Sequence, residues 1–110
     1  MDFSEFAGFA QADKLVVMDN LGQVQMTVQD PLPIALLLIE LNRYANGWGV
    51  PARGVPVVAR YYYFYRGSTS LGHVGLSEDM LVLHYAGGFW ARSIGMGDYQ
   101  RLAYALENIR

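Results

Sequence analysis

The sequence predicts an α+β domain: a mostly antiparallel sheet of five to six strands with helices packed on one face, in the order α-ββ-α-ββββ-α. Three observations predict it. Short runs alternate apolar and polar residues and are bounded by Gly, Asn, Asp or Ser, the pattern of half-buried strands. One stretch, from Asp30 to Gly47, has helical periodicity with a start and a stop signal. The connections between these runs are short, which favours antiparallel neighbours. The 110 residues suit one domain, 1–110, and no repeat, low-complexity tract or linker divides them.

Within residues 1–12, Phe3, Phe6 and Ala10 are spaced by three and four, one apolar stripe of a short helix or arm. Lys14–Met18 and Gln23–Val28 read as a hairpin around Asp19, Asn20, Leu21 and Gly22, residues that suit a tight turn. Val24, Met26 and Val28 share one face of its second strand. Asp30 caps a helix that Pro31 opens and Gly47 stops, running to about Asn46. Ile34, Leu37, Leu38, Leu41, Tyr44 and Ala45 form its main apolar stripe. Leu36 and Ile39 fall on the other side beside Arg43, a second and smaller patch.

Trp48–Pro56 is a loop, and Val57–Arg66 is a strand with five consecutive aromatics from Tyr61 to Tyr65. Leu71–Leu76, Met80–Tyr85 and Phe89–Ile94 continue as a meander, and Asp98 caps a last helix carrying Tyr99, Leu102, Leu106 and Ile109 on one face. A two-residue turn at Glu78 and Asp79 sets Leu76 against Leu81, Val74 against Leu83 and His73 against His84. A turn at Gly87 and Gly88 sets Tyr85 against Trp90 and His84 against Ala91. One face then holds Val74, Leu76, Leu81, Leu83, Tyr85, Trp90 and Ile94, with Arg92 its one charge. The other holds Leu71, His73, Met80, Val82, His84, Phe89 and Ser93. In the aromatic strand, Val57, Ala59, Tyr61, Tyr63 and Tyr65 point inward, leaving Arg60, Tyr62, Phe64 and Arg66 beside the two histidines.

Only 16% of the residues are charged, against roughly 25% in ordinary domains, so part of the exterior is expected to be covered by a partner or a second copy. Net charge is −2, without the basic excess that phosphate binding needs, so nucleic acid is not an expected partner. The chain has no cysteine, which excludes disulfides, thiolate metal sites and a Cys nucleophile. Met1–Ala12 carries Asp2 and Glu5 and no basic residue, unlike a secretory signal, and the longest apolar run, Ile34–Ile39, is too short for a bilayer. A cytoplasmic location and no membrane partner are expected.

Neither a G-x-S-x-G elbow nor a Gly-Lys-Ser/Thr phosphate loop is present. His73 and His84 lack a third ligand on neighbouring strands. No catalytic, metal or cofactor residue is assigned, and the chain is expected not to be an enzyme. The expected function is a small protein-binding or assembly domain, homodimeric, with a candidate interface of Leu36, Ile39, Arg43, Arg60, Tyr62, Phe64, Arg66, His73 and His84. Tyr and Arg are the residues that anchor protein interfaces. One alternative is a bacterial immunity or inhibitor-type protein that binds a toxin or enzyme; another is a small-molecule binder or enzyme using the aromatic and His sheet face. The order of elements resembles that of small roadblock or profilin-like domains, which place helices around a central antiparallel sheet. The strand Phe89–Ile94 departs from that order, and the resemblance assigns no functional residue.

Overall fold

A computed structural model describes residues 9–44, 46–50, 58–85 and 88–107. The elements are β1 (Lys14–Asp19), β2 (Val24–Val28), α1 (Pro31–Leu41) followed by a 3-10 turn over Asn42–Tyr44, β3 (Arg60–Arg66), β4 (Thr69–Leu76), β5 (Met80–Tyr85), β6 (Gly88–Ser93) and α2 (Met96–Glu107). The strands form one six-stranded antiparallel sheet in the order β2-β1-β3-β4-β5-β6. This is the expected α+β class. Of the helix expected near the N-terminus, Phe3 and Phe6 lie outside the described residues, as do Ala45, Val57, Gly87 and Ile109.

Local chemistry sets the turns and helix ends. The Asp19 carboxylate accepts the N–H groups of Leu21 and Gln23, both at 2.9 Å, and Gly22 adopts φ 80 to close the hairpin. Asp30 caps α1 by accepting the Leu32 N–H at 3.1 Å. Asp98 accepts the Gly95 N–H at 3.2 Å and the Tyr44 hydroxyl proton at 3.1 Å. It thus satisfies the start of α2 and ties that helix to the end of α1.

The core lies between the sheet and the two helices. Leu15 and Val17 of β1, Tyr62 and Phe64 of β3, Val74 and Leu76 of β4, and Leu81 and Leu83 of β5 meet Ile34, Leu37 and Leu41 of α1 and Leu102 of α2. Phe9 stacks on Phe64 with ring centroids 4.7 Å apart. Gly72 makes room for it: a Cβ there would come within 2.7 Å of the Phe9 ring, and the φ of 133 suits glycine alone. Trp48 closes the end of the core, donating its indole N–H to Tyr44 O at 2.6 Å.

Five details differ from the sequence reading. The faces of β3 are exchanged: Tyr62 and Phe64 are 2% and 0% exposed, whereas Tyr61, Tyr63 and Tyr65 are half-buried on the far side and Ala59 is exposed. Arg60 and Arg66 had marked that face as outward, but they sit at the strand ends, past the rim of the core, where long side chains reach water from either face. Helix α1 tightens into its 3-10 turn at Asn42 rather than continuing to Asn46. Asp98 stands three residues after Gly95, inside the first turn of α2, and bonds back to the cap.

The β5–β6 register is displaced by two, because Gly88 belongs to the strand and pairs with Tyr85; Trp90 faces Leu83, and Phe89, not Ala91, faces His84. A slip of two keeps every side chain on its expected face. Finally, a bulge leaves Gln25 unpaired between Val24 and Met26, so Val24 leaves the core face and is exposed.

Candidate functional site

The outer side of α1 carries an apolar stripe. Leu32, Leu36 and Ile39, spaced by four and three, fall on one helix face and are 65%, 57% and 63% exposed. Ala35 is exposed between them. Arg43 continues the stripe one turn later and pairs with Glu40 at 3.2 Å. Glu40 Oε1 is buried with no hydrogen-bond partner among the described residues. The helix thus begins with the Asp30 carboxylate and ends beside the Arg43 guanidinium, an arrangement its dipole favours.

The sheet face away from the helices carries a row of side chains that crosses all six strands. Thr27, Val16, Tyr63, His73, His84 and Phe89 stand opposite one another in turn on β2, β1, β3, β4, β5 and β6. The rings of the last four pack against each other, with centroids 4.4, 4.8 and 4.2 Å apart; the His84 and Phe89 planes are 19° from parallel. Tyr61 meets His73 edge-on at 5.7 Å, and the Lys14 ammonium lies 5.0 Å from the Tyr65 ring. Burial, and then the neighbouring His84, push the His73 imidazole down to about 4, so it is neutral at physiological pH.

The chemistry open to this row is limited. No group of three or more His, Cys, Asp or Glu side chains that could hold a metal ion occurs among the described residues. A hollow of about 470 Å³ lined by Val17, Gln25, Met26 and Arg60 shares no residue with it. Among the described residues, no helix is long and apolar enough to cross a membrane.

The nine residues expected to form one surface occupy three places. Leu36, Ile39 and Arg43 come together on α1. His73 and His84 touch on the far sheet face. Tyr62 and Phe64 are corrected from surface to core, where Phe64 pairs with Leu15 and Gly72, and Tyr62 with Val17 and Val74. Arg60 and Arg66 flank them at the two ends of β3, with Arg66 Nη1 donating to Gln11 O at 3.2 Å. Leu32 was missed, although its spacing to Leu36 is visible in the sequence. Tyr61 and Tyr63 were not grouped with the histidines, which needed the phase of β3; Phe89 was placed on their face, but its position opposite His84 needed the β5–β6 register. Compared with protein-family models, with curated proteins and with solved structures, the chain matches none.

Proposed function

We propose that the protein is a non-enzymatic assembly domain that works as a homodimer joined through the outer face of α1. The stripe of Leu32, Leu36 and Ile39 carries this reading, because three large aliphatic side chains on one helix face gain by leaving water together. A second copy is favoured as the occupant by charge. When two α1 helices pack antiparallel with Leu36 against Ile39 of the second copy, their dipoles oppose. Each Arg43 then lies one turn or less from the Asp30 end of its neighbour. No like charges are brought together. The cytoplasm is the proposed setting, where a chain that carries no disulfide can fold and persist.

Fully burying a Leu or Ile side chain stabilises by about 1.5–3 kcal/mol, so three residues that are roughly 60% exposed offer about 1–2 kcal/mol each. Six such residues in a dimer give about 5–11 kcal/mol, against an association cost of about 4–15 kcal/mol. The stripe alone therefore about balances that cost.

Sedimentation equilibrium from roughly 1 to 100 μM tests the reading. The expected mass rises towards twice 12.3 kDa. Leu36→Glu, at an exposed position, should give a monomer with unchanged circular dichroism. A wild-type protein that stays at 12.3 kDa throughout would refute it.

A further inference from the structure

We infer that His73 and His84 together bind a divalent transition-metal ion, Cu²⁺ most tightly, on the sheet face away from the helices. The site needs no second copy and is independent of the homodimer proposed above.

The strands bring the two donors together. His73 on β4 and His84 on β5 stand directly opposite each other, and side chains so placed start only about 5 Å apart. Two imidazoles bonded to one ion at about 2.0–2.1 Å, with roughly 90–110° between the bonds, have ring centroids about 4.5–5 Å apart. The centroids of His73 and His84 are 4.8 Å apart, and their planes are inclined at 52°, so the rings converge at one pair of edges.

The nitrogens are not committed elsewhere. Neither imidazole makes a hydrogen bond among the described residues, and both rings are half-buried, so each keeps contact with solvent. Phe89 stacks on His84 at 4.2 Å, and Tyr63 lies 4.4 Å from His73 at an inclination of 30°. An imidazole binds a metal through a lone pair in the plane of its ring, which stacking on the ring face does not use. The flanking rings also limit rotation of the pair, and donors already held in place lose less freedom on binding.

The donor set selects the ion. Imidazole suits Cu, Ni and Zn, whereas Mg and Ca take oxygen ligands. No third His, Asp or Glu joins the pair among the described residues, so water fills the remaining positions. Cu²⁺ tolerates that best. It stands highest in the affinity order for a given donor set and takes nitrogen and oxygen in a tetragonal plane. Zn²⁺ sites usually draw three or four ligands from the protein.

Titration of the full chain, carrying no affinity tag, with Cu²⁺ tests the site by NMR and electron paramagnetic resonance. A single ion should bind with a dissociation constant of about 100 μM or tighter. Its resonance spectrum should show coupling to two imidazole nitrogens, and the amides of His73 and His84 should broaden first. Zn²⁺ should bind at least about tenfold more weakly, and Mg²⁺ should displace nothing. His73→Phe and His84→Phe each keep a ring in the row, and each should weaken Cu²⁺ binding at least about tenfold with circular dichroism unchanged. No saturation by about 1 mM Cu²⁺, broadening centred away from these two histidines, or equal affinity in the wild type and both folded variants overturns the assignment. If a variant does not fold, the broadening pattern of the wild-type chain decides alone.

Discussion

His73 should make the fold sensitive to mild acid. Its imidazole is half-buried between Tyr63 and His84, and both burial and the neighbouring ring hold it at about 4, against 6.5 when free. Above pH 6.5 it is neutral whether the chain is folded or not, and it contributes nothing to pH dependence. Between pH 6.5 and about 4 the unfolded chain takes up a proton that the folded chain refuses, so stability falls as the pH falls. The full difference corresponds to about 3 kcal/mol, and screening of a half-exposed ring reduces this to about 1–2 kcal/mol. Urea unfolding at one protein concentration, at pH 7.5, 6.0 and 5.0, measures it without dimerisation altering the comparison. The Asp98 carboxyl, held below its usual range by the Gly95 N–H and then the Tyr44 hydroxyl, loses its contribution only at lower pH. That window therefore isolates histidine. His73→Phe keeps a ring in the row and should flatten the loss. Equal wild-type stability at pH 7.5 and 5.0, or an undiminished loss in His73→Phe, would show that the packed row does not exclude the proton.

Two core substitutions test the packing directly. Phe64→Ala removes the partner of Phe9 from a fully buried site and should cost about 3–5 kcal/mol in urea unfolding; an effect below 1 kcal/mol would return β3 to the phase first read from the sequence. Gly72→Ala forces a Cβ to within 2.5 Å of His84 O and 2.7 Å of Phe9 at a φ of 133, and should lower stability by at least about 2 kcal/mol; thermal unfolding checks it.

What the sequence made legible follows from where its periodicity is unambiguous. The two stripes of α1 could be separated because Leu36 and Ile39 stand about opposite Leu37 and Leu41 on a helix of 3.6 residues per turn. The His73–His84 pairing could be read because the Glu78–Asp79 turn has a fixed length. Between Tyr61 and Tyr65 every residue is aromatic, so alternation vanishes and either phase fits. Only pairing with Leu15 and Val17 decides it. The two adjacent glycines at 87 and 88 likewise allow two registers of the same parity. The bulge at Gln25 leaves no mark in a strand that alternates regularly in sequence. The exposed patch of α1 and the facing of the two histidines were therefore legible, and the burial of Tyr62 and Phe64 on the aromatic strand was not.

The aromatic content bears on which surface is available for docking. In the Tyr63, His73, His84 and Phe89 row, neighbouring rings lie 4.2–4.8 Å apart and pack largely against one another. Neighbouring rings thereby cover part of one another's faces within the sheet, most closely for His84 and Phe89. A base or sugar that binds by stacking needs a free ring face, so the row suits the pinning of strand register better than ligand capture. Phe9, Tyr44, Trp48, Tyr62 and Phe64 are in the core. Among the described residues, five of the eight large hydrophobic side chains left exposed are Leu21, Val24, Leu32, Leu36 and Ile39. All five belong to one hairpin and the helix that follows it. Of these, Leu32, Leu36 and Ile39 share one face of α1, so the self-complementary contact proposed above draws on the helix and not on the aromatic row.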